Sequence, residues 1–70
     1  MSRQGNACRA LGNSIDIAET IIFENVIKSI NDGSLSLDEG QLKTLRRDIK
    51  SALLVAKDRG TDQIIKAVQD

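Results

Sequence analysis

Between two stretches of helical apolar periodicity lies Ile30-Asn31-Asp32-Gly33-Ser34-Leu35-Ser36-Leu37-Asp38-Glu39, and this segment constrains the fold more than any other. Gly33 can supply the left-handed residue that ends a helix. Ser36-Leu37-Asp38-Glu39 has the form of a capping box that begins one, with acids in the first turn to complement the helix dipole. A stop followed within a few residues by a start turns the chain back on itself. The segment therefore predicts a helical hairpin.

The flanks agree. At about 100° per residue, Ile15, Ala18, Ile22, Phe23, Val26, Ile27 and Ile30 cover about half the circumference of a first helix, and Ile17 and Ile21 widen that surface. Asp16 with Glu19 has capping-box spacing, and Asn13 or Ser14 is an alternative cap. This first helix is expected to end near Ser29–Asn31. In the second, Leu42, Leu45, Ile49, Ala52, Leu53 and Ala56 form one ordinary stripe, with Leu54 and Val55 lying off it on opposite sides. The second helix is expected to run to about Asp58 and to stop at Gly60. Thr61 then caps a short third helix through Ile64, Ile65 and Val68. Residues 1–12, with Gly5 and Gly12 and no sustained periodicity, read as a flexible N-terminal arm; residues 13–70 read as one small helical domain.

Size makes a demand on this architecture. The chain has 70 residues, one cysteine and no histidine. It can form no internal disulfide, and Cys8 alone cannot assemble a zinc site. Small domains without staples usually gain stability by association. The first helix has more apolar surface than one neighbour covers. The expected remedy is a homodimer in which two first helices pack together through Ile17, Ile21, Ile22 and Phe23, giving a dimeric helical bundle.

The formal net charge is zero, but the charges are segregated. From Leu11 to Gly40 only Lys28 opposes Asp16, Glu19, Glu24, Asp32, Asp38 and Glu39. From Gln41 to Gly60, Lys43, Arg46, Arg47, Lys50, Lys57 and Arg59 meet only Asp48 and Asp58. Antiparallel helices with that bias attract one another. Lys43, Arg46, Arg47, Lys50 and Lys57 project within about a 100° sector beside the apolar stripe. With Leu54 and Val55 they form the candidate partner-binding surface. A protein partner is the expectation, and a nucleic-acid-binding regulator using the same flank is the alternative. The lack of aromatic interleaving and of an Asn or Gln cluster weighs against base readout. A helix-turn-helix reading of Ala52 to Val68 founders on Lys66, which falls where an aliphatic residue is needed, and on the outward acids Asp62 and Asp70.

Asp32 to Glu39 also resembles part of an EF-hand loop, with Gly33 at the sixth position and Glu39 at the twelfth. Lys28 and Ile30 then occupy the first and third positions, where oxygen ligands are required, so no calcium site is expected. Catalysis lacks candidates: there is no His or Tyr to shuttle protons and no base to activate Cys8. No apolar run approaches the roughly 20 residues that span a bilayer, and the N-terminus lacks the apolar block of a signal peptide. The expectation is a small, cytoplasmic, non-enzymatic regulatory or adaptor protein with no cofactor and no metal, acting by protein–protein interaction.

Overall fold

The computed structural model describes residues 2–69, and they form two antiparallel helices. Helix α1 spans Arg3–Asn31, helix α2 spans Glu39–Ala67, and no strand occurs among the described residues. Met1 and Asp70, the end points of the expected arm and domain, lie outside the described residues. The all-helical hairpin is the architecture expected from the turn segment. Its extents of 49 × 17 × 15 Å describe a rod two helices wide.

Three boundaries differ from the sequence expectation, each for an identifiable reason. Residues 3–12 belong to α1. The cap is Ser2, whose Oγ accepts the Gly5 N–H at 2.8 Å, so neither Asp16 nor Asn13 starts the helix. Once a helix is nucleated, adding residues is cheaper than starting afresh. Extension here gives Ala7, Cys8 and Leu11 a half-buried seat on the hairpin's inner side.

Likewise, α2 does not stop at Gly60, and no third helix forms among the described residues. Gly60 is helical, and the single positive φ among those residues belongs to Gly33. A Cβ placed on Gly60 would lie 2.7 Å from Cδ2 of Leu11. Gly60 is thus a close-approach site at which α1 and α2 come together, not a terminator. Thr61 accordingly behaves as a mid-helix residue and donates its hydroxyl to the Lys57 carbonyl at 2.9 Å.

The cap of α2 is Asp38 instead of Ser36. Oδ1 of Asp38 accepts the Gln41 N–H at 2.7 Å, and the Asp38 N–H donates to Oε1 of Gln41 at 3.0 Å. Two overlapping sequences satisfy the capping-box pattern here. The Asp38 version places Leu37 just before the cap and Leu42 four residues after it, the spacing of a hydrophobic staple, and both are half-buried. The Ser36 version would put Gly40 in the second staple position, with no side chain to pack.

At the other side of the turn the expectation stands. Gly33 takes φ +84°, and its N–H donates to the Ile30 carbonyl at 3.3 Å. The Asp32 N–H donates to the Lys28 carbonyl at 2.9 Å and the Leu35 N–H to the Ser29 carbonyl at 3.0 Å, so with the Gly33 bond the carbonyls of Lys28, Ser29 and Ile30 in the last turn of α1 are satisfied. Asp32 Oδ1 accepts the Ser34 N–H at 2.9 Å and its hydroxyl at 2.6 Å.

The contact between the helices is built from Leu11, Ile15, Ala18, Ile22, Val26 and Ile30 of α1 with Leu42, Leu45, Ile49, Leu53 and Ile64 of α2, all half-buried. Ala52 and Ala56, placed in the α2 stripe by periodicity, are exposed. Among the described residues none is buried, polar or apolar. Two helices have one seam between them, and every side chain on it keeps one edge in solvent.

Candidate interaction surface

Three contacts set the alignment of the helices along their middle. Lys50 Nζ stands 3.8 Å from Oε1 of Glu19. The Arg46 guanidinium lies over the Phe23 ring, 5.8 Å from its centroid. Lys57 runs past Gly12, where an added Cβ would meet Lys57 Cε at 3.8 Å. The half-exposed ion pair contributes under about 1 kcal/mol and the cation–π contact about 0.5–1 kcal/mol. Their value is in register more than in stability.

The five bases predicted to share a sector do so, and all are exposed. Arg46 and Lys50 lean toward α1, whereas Arg47 Nε pairs with Asp48 Oδ1 of its own helix at 3.5 Å. Leu54, 59% exposed, falls within the basic sector, about 20° around the helix from Lys43. Val55, also exposed, lies on the opposite flank. The predicted partner-binding set therefore divides: Leu54 joins the bases, and Val55 belongs to a different surface.

The predicted dimerisation set divides as well. Ile17 and Ile21 stand out at 60% and 51% exposure, one turn apart on the outside of α1. Ile22 and Phe23 are half-buried toward α2. All four are apolar and adjacent in sequence, which groups them by periodicity; the hairpin seam separates them.

One surface is not anticipated by the sequence expectation. Asp16, Glu19, Thr20, Phe23, Glu24 and Ile27 line an open trough along α1, closed at the turn end by Lys28, Asn31 and Asp32. Phe23 and Ile27 supply an apolar floor and the carboxylates an acidic rim. A signal for it exists: Asp16, Glu19, Phe23 and Ile27 follow one another at helical spacing on a single side. Counting the acids as a segment charge, without placing them around the helix, hides it.

Two of the three carboxylates of the EF-hand-like stretch, those of Asp32 and Asp38, are engaged in local backbone chemistry. Asp32 holds Ser34, and Asp38 caps α2. Hydrogen bonds from the Ser34 hydroxyl and backbone N–H hold the Asp32 carboxyl below its ordinary range. Among the described residues no group of three or more His, Cys, Asp or Glu is gathered as a metal site would require. Cys8 is free and half-buried. Among the described residues no helix is long and apolar enough to cross a membrane. What the molecule offers chemically is a pair of parallel strips, acidic and apolar on α1 and basic on α2. No protein-family model, curated protein or solved structure matches this chain.

Proposed function

We propose that this chain is a small non-enzymatic regulatory or adaptor module that works through protein–protein contacts in the cytoplasm, and that its working form is a homodimer. The observation that carries the reading is surface area. A compact monomer of 7.6 kDa exposes about 4,300 Å² by the usual scaling, whereas this chain exposes 5334 Å². The excess, about 1,000 Å² per chain, is comparable to the roughly 800 Å² that each partner buries in a standard protein interface. The radius of gyration of 15.8 Å against about 11 Å for a compact chain of this length supports the same conclusion. A hairpin with a single seam and no buried residue among those described is half of a bundle.

The rival is a nucleic-acid-binding regulator using the basic flank. It is weakened because Arg46, Lys50 and Arg47 each have a partner within the chain: Phe23, Glu19 and Asp48. Sedimentation equilibrium at tens of micromolar tests the proposal. A mass of twice 7.6 kDa, with unfolding that shifts to higher temperature as concentration rises, is expected. A helical 7.6 kDa species with concentration-independent unfolding would overturn the homodimer. Duplex binding that falls steeply with salt would instead favour the nucleic-acid reading.

A further inference from the structure

The trough on α1 and the basic strip on α2 lie on the same broad side of the hairpin, since Phe23 of the trough sits under Arg46 and Glu19 reaches Lys50. They are also level with each other. The helices are antiparallel, so Gly12 lies beside Lys57, Glu19 beside Lys50 and Phe23 beside Arg46. The acids at positions 16, 19 and 24 therefore span the same length of the rod as the bases at 43, 46, 47 and 50.

When two copies pack this side face to face, the two-fold axis lies in the interface and has two simple orientations. With the axis across the helices, α1 covers the partner's α1, acids meet acids and bases meet bases. With the axis along the helices, α1 of each copy covers α2 of the other at the same level, and each acidic trough receives a basic strip. Like charges juxtaposed in an interface cost several kcal/mol, and opposite charges set register. The charge pattern therefore selects the second arrangement.

We infer that a second copy of this chain docks on the trough side, with its basic strip over Phe23 and Ile27 and the two-fold axis running along the rod. This rests on the homodimer reading above and specifies its geometry. It replaces the expected contact of first helix on first helix by first on second. The apolar floor and Leu54 supply the dry part of the interface, while the acidic rim and the basic strip exclude the wrong register. Ile21 lies about 160° around α1 from Phe23 and remains outside the contact, while Ile17, about 20° from Glu24, lies at its edge.

Charge reversal tests it without touching the Glu19–Lys50 pair. One variant carries Asp16→Lys and Glu24→Lys; the other carries Lys43→Glu and Arg47→Glu. Each alone should weaken the homodimer at least about tenfold, and an equimolar mixture should recover a heterodimer near wild-type affinity. Native mass spectrometry resolves the three species, and far-ultraviolet circular dichroism of the mixture reports whether helicity returns if a lone variant unfolds. In parallel, wild-type protein mixed from ¹⁵N-labelled and unlabelled chains is treated with a zero-length carboxyl–amine crosslinker. Mixed-isotope links from Asp16 or Glu24 to Lys43 or Lys50 are expected. If wild type is monomeric, the homodimer reading itself falls. If wild type is dimeric but both variants still self-associate unchanged, or the mixed-isotope links are missing, the docking arrangement is wrong and the homodimer stands.

Discussion

The two ends of the hairpin each depend on a glycine, for opposite reasons. At the turn, Gly33 has nothing within 4 Å of where a Cβ would sit, but its φ of +84° is one that side chains disfavour. At the terminal end, Gly60 has ordinary helical backbone, but Leu11 fills the space a Cβ would need. One glycine is required by conformation; at the other, proximity limits how large a side chain can be. The turn end is closed by bonds between near neighbours in sequence. The terminal end is closed by residues about 50 to 65 positions apart: Leu11 on Gly60, and Gln4, whose Nε2 donates to the carbonyls of Val68 at 2.8 Å and Ile65 at 3.2 Å. Local bonds persist when the helices separate, whereas the distant ones exist only in the closed hairpin.

The largest expected effect breaks the terminal end. Gly60→Leu places a full side chain where Leu11 now packs, and overpacking of this kind costs about 2–3 kcal/mol. Denaturant unfolding should show a lowered midpoint, with a loss of protection in amides of residues 3–12 exceeding that at the turn. Gly60→Ala sets a helix-propensity gain of about 1 kcal/mol against a contact that Leu11's mobile end can relieve, so its net effect should be small. A midpoint for Gly60→Leu equal to that of wild type would mean that the helices do not close there.

That contrast also explains what is legible in the sequence. The hairpin, the role of Gly33 and the segregation of charge depend on a few neighbouring residues and on periodicity, and these can be read directly. Gly60 misleads because glycine is both a common helix terminator and a common close-contact residue. Only the partner across the seam, Leu11, distinguishes the two. The start of α1 is hidden for the same reason: residues 3–12 are helical because α2 continues far enough to receive them. At the other boundary, two capping boxes compete, and staple packing by Leu37 and Leu42 decides between them. Of the candidate surface, the basic strip is visible because its residues recur at helical spacing. The division of Ile17 and Ile21 from Ile22 and Phe23 depends on where the seam falls, which periodicity across so broad an apolar surface does not specify.

A smaller effect sharpens the turn end. Gly33→Ala should cost about 1 kcal/mol, entirely through backbone conformation, since the site is sterically open. The same position made D-alanine, in a chain assembled by chemical synthesis, should recover that loss and add a few tenths of a kcal/mol by restricting the unfolded chain. Thermal unfolding of the two peptides separates the mechanisms. If the D-residue destabilises as much as the L-residue, crowding and not φ governs Gly33, and the contrast with Gly60 disappears.

The smallest effect concerns the charge that fastens the turn. Ser34 donates two hydrogen bonds to Asp32 Oδ1, through its hydroxyl and its backbone N–H, and they favour the ionised carboxylate and hold its pKa below the ordinary value. Such a group contributes stability that is fully present above the unfolded carboxylate pKa and is lost as pH falls through the lower folded value. Carboxyl carbon shifts followed by NMR should therefore place the Asp32 midpoint below the ordinary aspartate value. Ser34 amide protection should decline over the same acidic window. Asp32→Asn keeps an oxygen acceptor in the same place without a titrating charge, so it should hold the turn while abolishing that pH dependence. An unchanged acid response of the Ser34 amide in the Asn variant would assign the titration to another group. The terminal end, closed by Leu11, Gly60 and the neutral amide of Gln4, should show no matching response over that window.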